Sequence, residues 1–189
     1  MPSAYTHAYV GLGSNLGDRA GHLLLAVRGM LEAGLTVARL SSVYETEPVG
    51  TPGAQPLYLN MVAELALDAH DDEAAPPPSP EQLLARLLRI EYLLGRRRDA
   101  ALAPRTIDLD LLLYGDALAE TPYLTLPHPR LHLRRFVLTP LAELAPDGVH
   151  PTLGVSFKTL LFGLSDDSKV ERWTPAGVYG EPSETEIFN

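Results

Sequence analysis

The sequence predicts an α+β sandwich, and three observations carry that expectation. Runs with the two-residue alternation of strands occupy residues 8–13, 36–46, 58–67 and 106–113. Two apolar stripes with helical spacing fall between them, one over Leu23, Leu24, Val27, Met30 and Leu31, the other over Leu83, Leu84, Leu87, Leu88, Ile90 and Leu94. Each change of period is marked by Gly, Pro or a capping residue.

Taken in order, Ala8 to Gly13 is a short buried strand, and Ser14-Asn15-Leu16-Gly17-Asp18 is a turn rich in capping residues that opens the first helix. Gly34 ends that helix. Thr36–Thr46 alternates with β-branched residues, and after a Pro/Gly loop Tyr58–Leu67 forms a strand that should pair with it antiparallel. Asp68–Pro80 is acidic, then Ala/Pro-rich, and is expected to be a mobile insertion. Ser79-Pro80-Glu81-Gln82 starts the second helix, Gly95 stops it, and an acidic strand around Asp108 follows. The order strand, helix, strand, strand, helix, strand is the ferredoxin-like βαββαβ arrangement, with an antiparallel sheet. Beyond it, Leu133–Leu144 predicts a further C-terminal helix broken near Pro140. The expected division is a domain over 1–165 and a loosely held polar tail over 166–189.

At 189 residues, 46% hydrophobic and 21% charged, one well-packed domain is the natural outcome. No apolar stretch has the length of a membrane helix and the start lacks the regions of a signal peptide, so a cytoplasmic protein without membrane contact is expected. The absence of cysteine excludes disulfides, thiolate zinc sites and cysteine nucleophiles. A net charge of −9 argues against nucleic-acid binding, which needs a basic surface. Lysine is confined to Lys158 and Lys169, whereas Arg96, Arg97, Arg98, Arg105, Arg130, Arg134 and Arg135 crowd the middle of the chain. The planar guanidinium fork matches phosphate oxygens, so this enrichment points to a compact polyphosphate site. A solvated helix face accounts for Arg86 and Arg89.

The most informative run is Pro104-Arg105-Thr106-Ile107-Asp108-Leu109-Asp110. On a strand, Thr106, Asp108 and Asp110 share one face with same-face neighbours about 6.6 to 7 Å apart, while Ile107 and Leu109 face the other way. Two carboxylates held side by side need a cation, and oxygen ligands at this spacing suit Mg²⁺. An edge strand with one wet face shows the same alternation. Gly11-Leu12-Gly13-Ser14-Asn15-Leu16-Gly17 does not fit a dinucleotide fingerprint, because its third Gly comes one position late and no parallel βαβ unit surrounds it. That turn is expected to be structural, flooring a pocket. No Gly-Lys-Ser/Thr phosphate loop occurs, so any nucleotide must be held by side chains and metal. Tyr58 and Asn60 share a strand face suited to stacking on a flat heterocycle and reading its edge, though such a pair is also ordinary strand surface. His128, His132, Arg130, Arg134 and Arg135 lie within a short stretch that suits phosphate contact better than metal binding.

Together, Gly11-x-Gly13-Ser14-Asn15-Leu16-Gly17, Tyr44-x-Thr46-x-Pro48, Tyr58-Leu59-Asn60, Arg96-x-Arg98, Pro104-Arg105-Thr106-Ile107-Asp108-Leu109-Asp110, Pro127-His128-Pro129 and Arg134-x-Phe136 resemble the 6-hydroxymethyl-7,8-dihydropterin pyrophosphokinase family of folate biosynthesis, over about residues 8 to 163. The resemblance implies transfer of pyrophosphate from ATP to the hydroxymethyl group of a dihydropterin, with release of AMP. It implies two Mg²⁺ ions on Asp108 and Asp110, with Arg96 and Arg105 also catalytic. The pterin would lie between Tyr58 and Phe136, read by Asn60 and by Thr46, Pro48 and Val49. ATP would contact Arg96, Arg98, Arg105, Ile107, His128 and Arg134. A monomer is the expected state.

Several positions depart from the family pattern. Leu102-Ala103 stands where many members have an aromatic residue and Gly, so weaker ordering of a closing loop is expected. Glu47 and Tyr123 are further departures. Two other classes fit the same residues: a different Mg²⁺-dependent phosphotransferase or nucleotidyltransferase, and a non-catalytic ferredoxin-like binding module.

Overall fold

The structure, a computed structural model, describes residues 6–50, 54–67, 76–97 and 103–175. Its elements run β1 (His7–Ser14), α1 (Arg19–Glu32), β2 (Thr36–Leu40), β3 (Tyr44–Thr46), β4 (Tyr58–Ala66), α2 (Pro80–Leu93), β5 (Asp108–Tyr114), β6 (Ala119–Glu120), β7 (Thr125–Leu126), α3 (Arg135–Leu144), α4 (Phe157–Phe162) and β8 (Val170–Arg172). The main sheet has the order β5-β1-β4-β3-β8, with β2 also on β4, and the pairs β1–β4, β1–β5, β2–β4, β3–β4 and β3–β8 are all antiparallel. The strand expected over 36–46 is divided at Ser41 to Val43, and both halves pair with β4.

Alternation along the central strands gives the sheet two apolar faces. Ala8, Val10 and Leu12 of β1 and Leu109 and Leu111 of β5 meet Leu23, Ala26 and Met30 of α1 and Leu83, Leu87 and Ile90 of α2 in the larger core. Each such side chain taken from water contributes about 1.5 to 3 kcal/mol. The opposite face carries a second cluster of Val62, Leu112 and Leu113 with Val137, Leu138 and Leu141 of α3 and Phe157 of α4. A register shift opposite Tyr9 and Val10 leaves Leu112 as an extra residue in β5, which turns Leu113 toward this second cluster.

Local chemistry explains the helix ends. Asp18 accepts the Gly21 N–H at 2.9 Å and caps α1. Ser79 and Gln82 form a reciprocal capping box at α2, with Pro80 as its first residue. The expected break at Pro140 does not occur. Pro140 lies inside α3, where its burial beside Leu138 and Leu141 holds the helix through the missing hydrogen bond, and the helix begins only at Arg135, after a 3₁₀ turn over Leu131–Leu133. The segment expected as a loose tail is also different at its start: Val170–Arg172 pairs with β3 and extends the sheet. Residues 176–189, and 68–75 of the acidic insertion, lie outside the described residues. No helix among the described residues is long and apolar enough to cross a membrane.

Replacing Ser79 by Ala removes the cap that holds the start of α2 far from the sheet's second face. It is expected to lower unfolding stability by about 1 kcal/mol, measured by urea titration, with ligand binding unchanged.

Candidate active site

Two glycines on the central strand open the second face of the sheet. Gly13 lies opposite Asn60 on β4 and Asp108 on β5; Gly11 lies opposite Val62 and Asp110. With no side chains at those two positions, a trough runs between an aromatic and amide bank on β4 and an acidic bank on β5. A Cβ at Gly13 would come within 2.7 Å of the Asn60 Oδ1. The cavity measures about 230 Å³, and Thr46, Val49, Tyr58, Asn60, Arg96, Arg105, Asp108, Asp110, Arg134 and Phe136 all line it. α3 and the turn before it bring Arg134, Phe136 and Val137 against the trough.

The acidic bank is part of a buried chain of charges. Asp108 accepts from Arg96 through one carboxylate oxygen and from Arg105 through the other, the latter at 2.6 Å. Arg96 also donates to Glu91, whose carboxylate accepts the Leu109 N–H at 2.7 Å. Asn15 anchors the approach to β5: its Oδ1 accepts the Arg105 N–H at 2.8 Å and its N–H donates to the Arg105 carbonyl at 3.2 Å. On the other bank the Asn60 amide donates to Thr46 Oγ1 at 2.6 Å. The Arg105 guanidinium lies 6.0 Å from the Tyr58 ring centre, and that of Arg134 lies 5.3 Å from the Phe136 ring centre, both within cation–π range.

Burial, and then the Asp108 carboxylate, push the Asp110 carboxyl up to about 6, against the pull of Arg134. Burial and the guanidiniums of Arg134 and Arg130 push the His128 imidazole down to about 4, so it is neutral at pH 7. The His128 Nδ1 accepts the Arg130 N–H at 3.2 Å, which leaves the ring proton on Nε2 as a donor. Burial, and then Arg130, lower the Arg134 guanidinium as well.

Not every residue named from sequence reaches the cavity. Ile107 is fully buried in the larger core, because strand alternation sends its side chain to the opposite face from Asp108. His128 lines a separate cleft of about 440 Å³ with His132 and His150, adjoining the first through its proximity to Arg134. Pro48 is half-buried outside the lining. Arg98 and Leu102 lie outside the described residues. Two residues escaped sequence reasoning. Glu91 was detectable as a charge on the apolar stripe of α2, four residues after Leu87; Asn15 resembled a helix cap, and only its contact with Arg105 shows otherwise.

Among the described residues no group of three or more His, Asp or Glu forms an all-protein metal cage. Asp108 and Asp110, side by side on the cavity lining, are an oxygen pair that fits Mg²⁺, which takes few protein ligands and completes its shell with water and phosphate oxygens, once the guanidiniums on Asp108 give way. An acidic pair facing several guanidiniums, beside an aromatic and amide slot, is the equipment of a phosphoryl-transfer enzyme with a flat acceptor. The chain belongs to the 7,8-dihydro-6-hydroxymethylpterin-pyrophosphokinase family, whose sequence profile matches residues 9–146. It is 43% identical over 162 residues to the 2-amino-4-hydroxy-6-hydroxymethyldihydropteridine pyrophosphokinase of Synechocystis sp., covering 85% of this chain and 77% of that protein. It is 44% identical over 138 residues to the enzyme of the same name from Bacillus subtilis, covering 72% and 77%. Its fold matches a crystal structure of Plasmodium falciparum HPPK-DHPS with a TM-score of 0.62 at 14% identity, over 85% of this chain and 46% of that one. The chain thus spans about half the length of that solved relative.

Replacing Asp110 by Asn removes a carboxylate whose ionisation burial and Asp108 oppose. Because its folded-state pKa stands above the ordinary value, Asp110 favours folding most below pH 4, and that contribution is lost as pH rises toward 6. At pH 7 without magnesium, D110N is expected to be about 1 to 2 kcal/mol more stable than the wild type by urea titration, with the gain vanishing near pH 4.

Proposed function

We propose that this chain transfers the pyrophosphoryl group of ATP to the hydroxymethyl oxygen of 6-hydroxymethyl-7,8-dihydropterin, releasing AMP, as a step of folate biosynthesis. The observation that carries the reading is the single trough whose two banks differ in chemistry, acidic and guanidinium-lined on β5, aromatic and amide-lined on β4. Family membership supports it independently.

In this reading the pterin lies between Tyr58 and Phe136. Asn60, held by Thr46, reads its polar edge together with the backbone around Pro48 and Val49. The Asn60–Thr46 bond holds the amide in the plane of the slot, where it can exchange hydrogen bonds with the edge of a flat ligand. Arg96, Arg105 and Arg134 bind the triphosphate, joined by Arg98 and by the Nε2–H of His128. As phosphate enters, Arg96 and Arg105 can shift partners from Asp108 to phosphate oxygens, freeing the carboxylate as a ligand.

Asp108 and Asp110 would hold two Mg²⁺ ions, which when bound would neutralise the triphosphate and lower the pKa of the acceptor hydroxyl. The hydroxyl oxygen forms a bond to the β-phosphorus, the bond from that phosphorus to the α-phosphate bridging oxygen breaks, AMP leaves, and the hydroxyl proton passes to solvent. Positioning and charge neutralisation account for the acceleration, with no covalent help from the protein. The sheet order β5-β1-β4-β3, with one helix in each crossover, supports a ferredoxin-like core beneath the site. The enzyme acts as a cytoplasmic monomer that contacts neither nucleic acid nor membrane.

With ATP, Mg²⁺ and the dihydropterin, the protein is expected to form AMP and the pyrophosphorylated pterin in equal amounts. AMP formed without pterin, or release of inorganic phosphate or pyrophosphate, overturns the reading. Asp108→Ala and Asp110→Ala are expected to lower kcat by about 100-fold or more at saturating Mg²⁺, and wild-type turnover in D110A refutes the metal assignment. Gly13→Ala, whose methyl displaces Asn60, is expected to raise the pterin KM about tenfold and the ATP KM less than twofold in steady-state assays.

A further inference from the structure

The chain from Leu164 to Trp173 lies outside the region matched by the family profile, yet it touches both walls of the acceptor slot. At one end, Asp166 sits at the start of α3, the helix that carries Phe136. The N-cap residue of α3, Arg134, makes no capping bond with its own side chain. Asp166 supplies the acceptor instead: its Oδ2 takes the Arg135 N–H at 2.8 Å, its carbonyl takes the Arg135 Nε–H at 2.5 Å, and its Oδ1 takes the Ser168 N–H at 2.9 Å. A carboxylate in that place satisfies an otherwise open helix donor and complements the positive end of the helix.

At the other end, β8 pairs with β3 in the register Val170 with Thr46, Glu171 with Glu45 and Arg172 with Tyr44. Trp173 continues the ladder by donating its N–H to the Val43 carbonyl at 2.9 Å, and its ring packs on the larger core. β3 is only three residues long, and its Thr46 is the hydroxyl that orients Asn60. Without β8 this short strand would be the sheet edge, paired on one side only.

We propose that residues 164–173 are a strap that positions the acceptor slot, with Asp166 holding the Phe136 wall and β8 holding the Thr46 and Asn60 wall. Asp166 and Trp173 are positioning residues, since neither lines the cavity. If the slot is competent only while both walls are held, loosening either end lowers the competent fraction and weakens acceptor affinity in proportion. The acidic bank on β5 pairs with β1 and not with the strap, so loosening β8 leaves ATP affinity unchanged, whereas the Asp166 end also holds Arg134, one residue before Arg135, and loosening it weakens the triphosphate contact as well.

This inference rests on the pterin reading of the slot, and the test separates the two. Wild type, Asp166→Ala, Asp166→Asn and Trp173→Ala are compared in the full chain for dihydropterin and non-hydrolysable ATP binding with Mg²⁺ by calorimetry, and for amide exchange without ligand. W173A is expected to raise the pterin Kd about five- to tenfold, leave the ATP-analogue Kd within twofold and speed exchange around Thr46 about tenfold, whereas D166A is expected to raise the pterin Kd about as much, weaken the ATP analogue through Arg134 and speed exchange at Arg135 about tenfold. D166N, whose amide oxygen can still accept the Arg135 N–H, is expected to stay near wild type. Equal loss of both ligands in W173A, or unchanged pterin affinity with unchanged exchange in either variant, overturns the strap. A wild type that binds no dihydropterin refutes the functional reading instead, and the exchange data alone then decide whether the strap holds the two walls.

Discussion

The charge balance around Asp108 is the constraint on which the site depends. Two carboxylates on one strand face and a third on α2 stand close together in a partly dry place, an arrangement that would be untenable alone. Arg96 and Arg105 resolve it by bridging Glu91 to Asp108 and closing over the second oxygen of Asp108. The same bridging joins α2 to the start of β5, since Glu91 also holds the Leu109 N–H. Electrostatics and architecture are thus one arrangement: the helix that covers the core also orients the cation opposite the acidic pair.

Asp110 shows what this arrangement leaves unresolved. Its carboxyl is raised because burial and Asp108 outweigh the pull of Arg134, so this position favours a proton or a cation. Burial and neighbouring guanidiniums lower both Arg134 and His128, so these positions favour an anion. A ligand that brings divalent cations and phosphates together complements both groups, as ATP with Mg²⁺ does. On the far bank, the glycine floor and the Asn60–Thr46 bond provide a flat, oriented slot at the cost of tolerance: little can be added at Gly13.

Much of the fold was legible because it rests on neighbours in the chain. The alternation around Asp108 and Asp110 put their carboxylates and the buried Leu109 and Leu111 on opposite faces, as found. The Ser79 capping box and the pairing of residues 36–46 with 58–67 were equally visible. The alternation also assigns the Ile107 side chain to the core, so it does not face the cavity with Asp108. Pro140 was expected to break α3 because its missing N–H is a local fact, whereas the burial that holds the helix together is not.

By itself, the sequence determined the α+β order, the acidic strand, the guanidinium-rich middle and the family, because periodicity, capping and motif spacing are properties of residues close together in the chain. Only the tertiary structure decided that Glu91 completes the Asp108 network, that Asn15 anchors Arg105, that His128 turns into a neighbouring cleft, and that residues 170–172 join the sheet rather than trail from it. Each of those depends on contacts between segments far apart in the chain, which are settled when the helices and sheet pack and not by any local pattern.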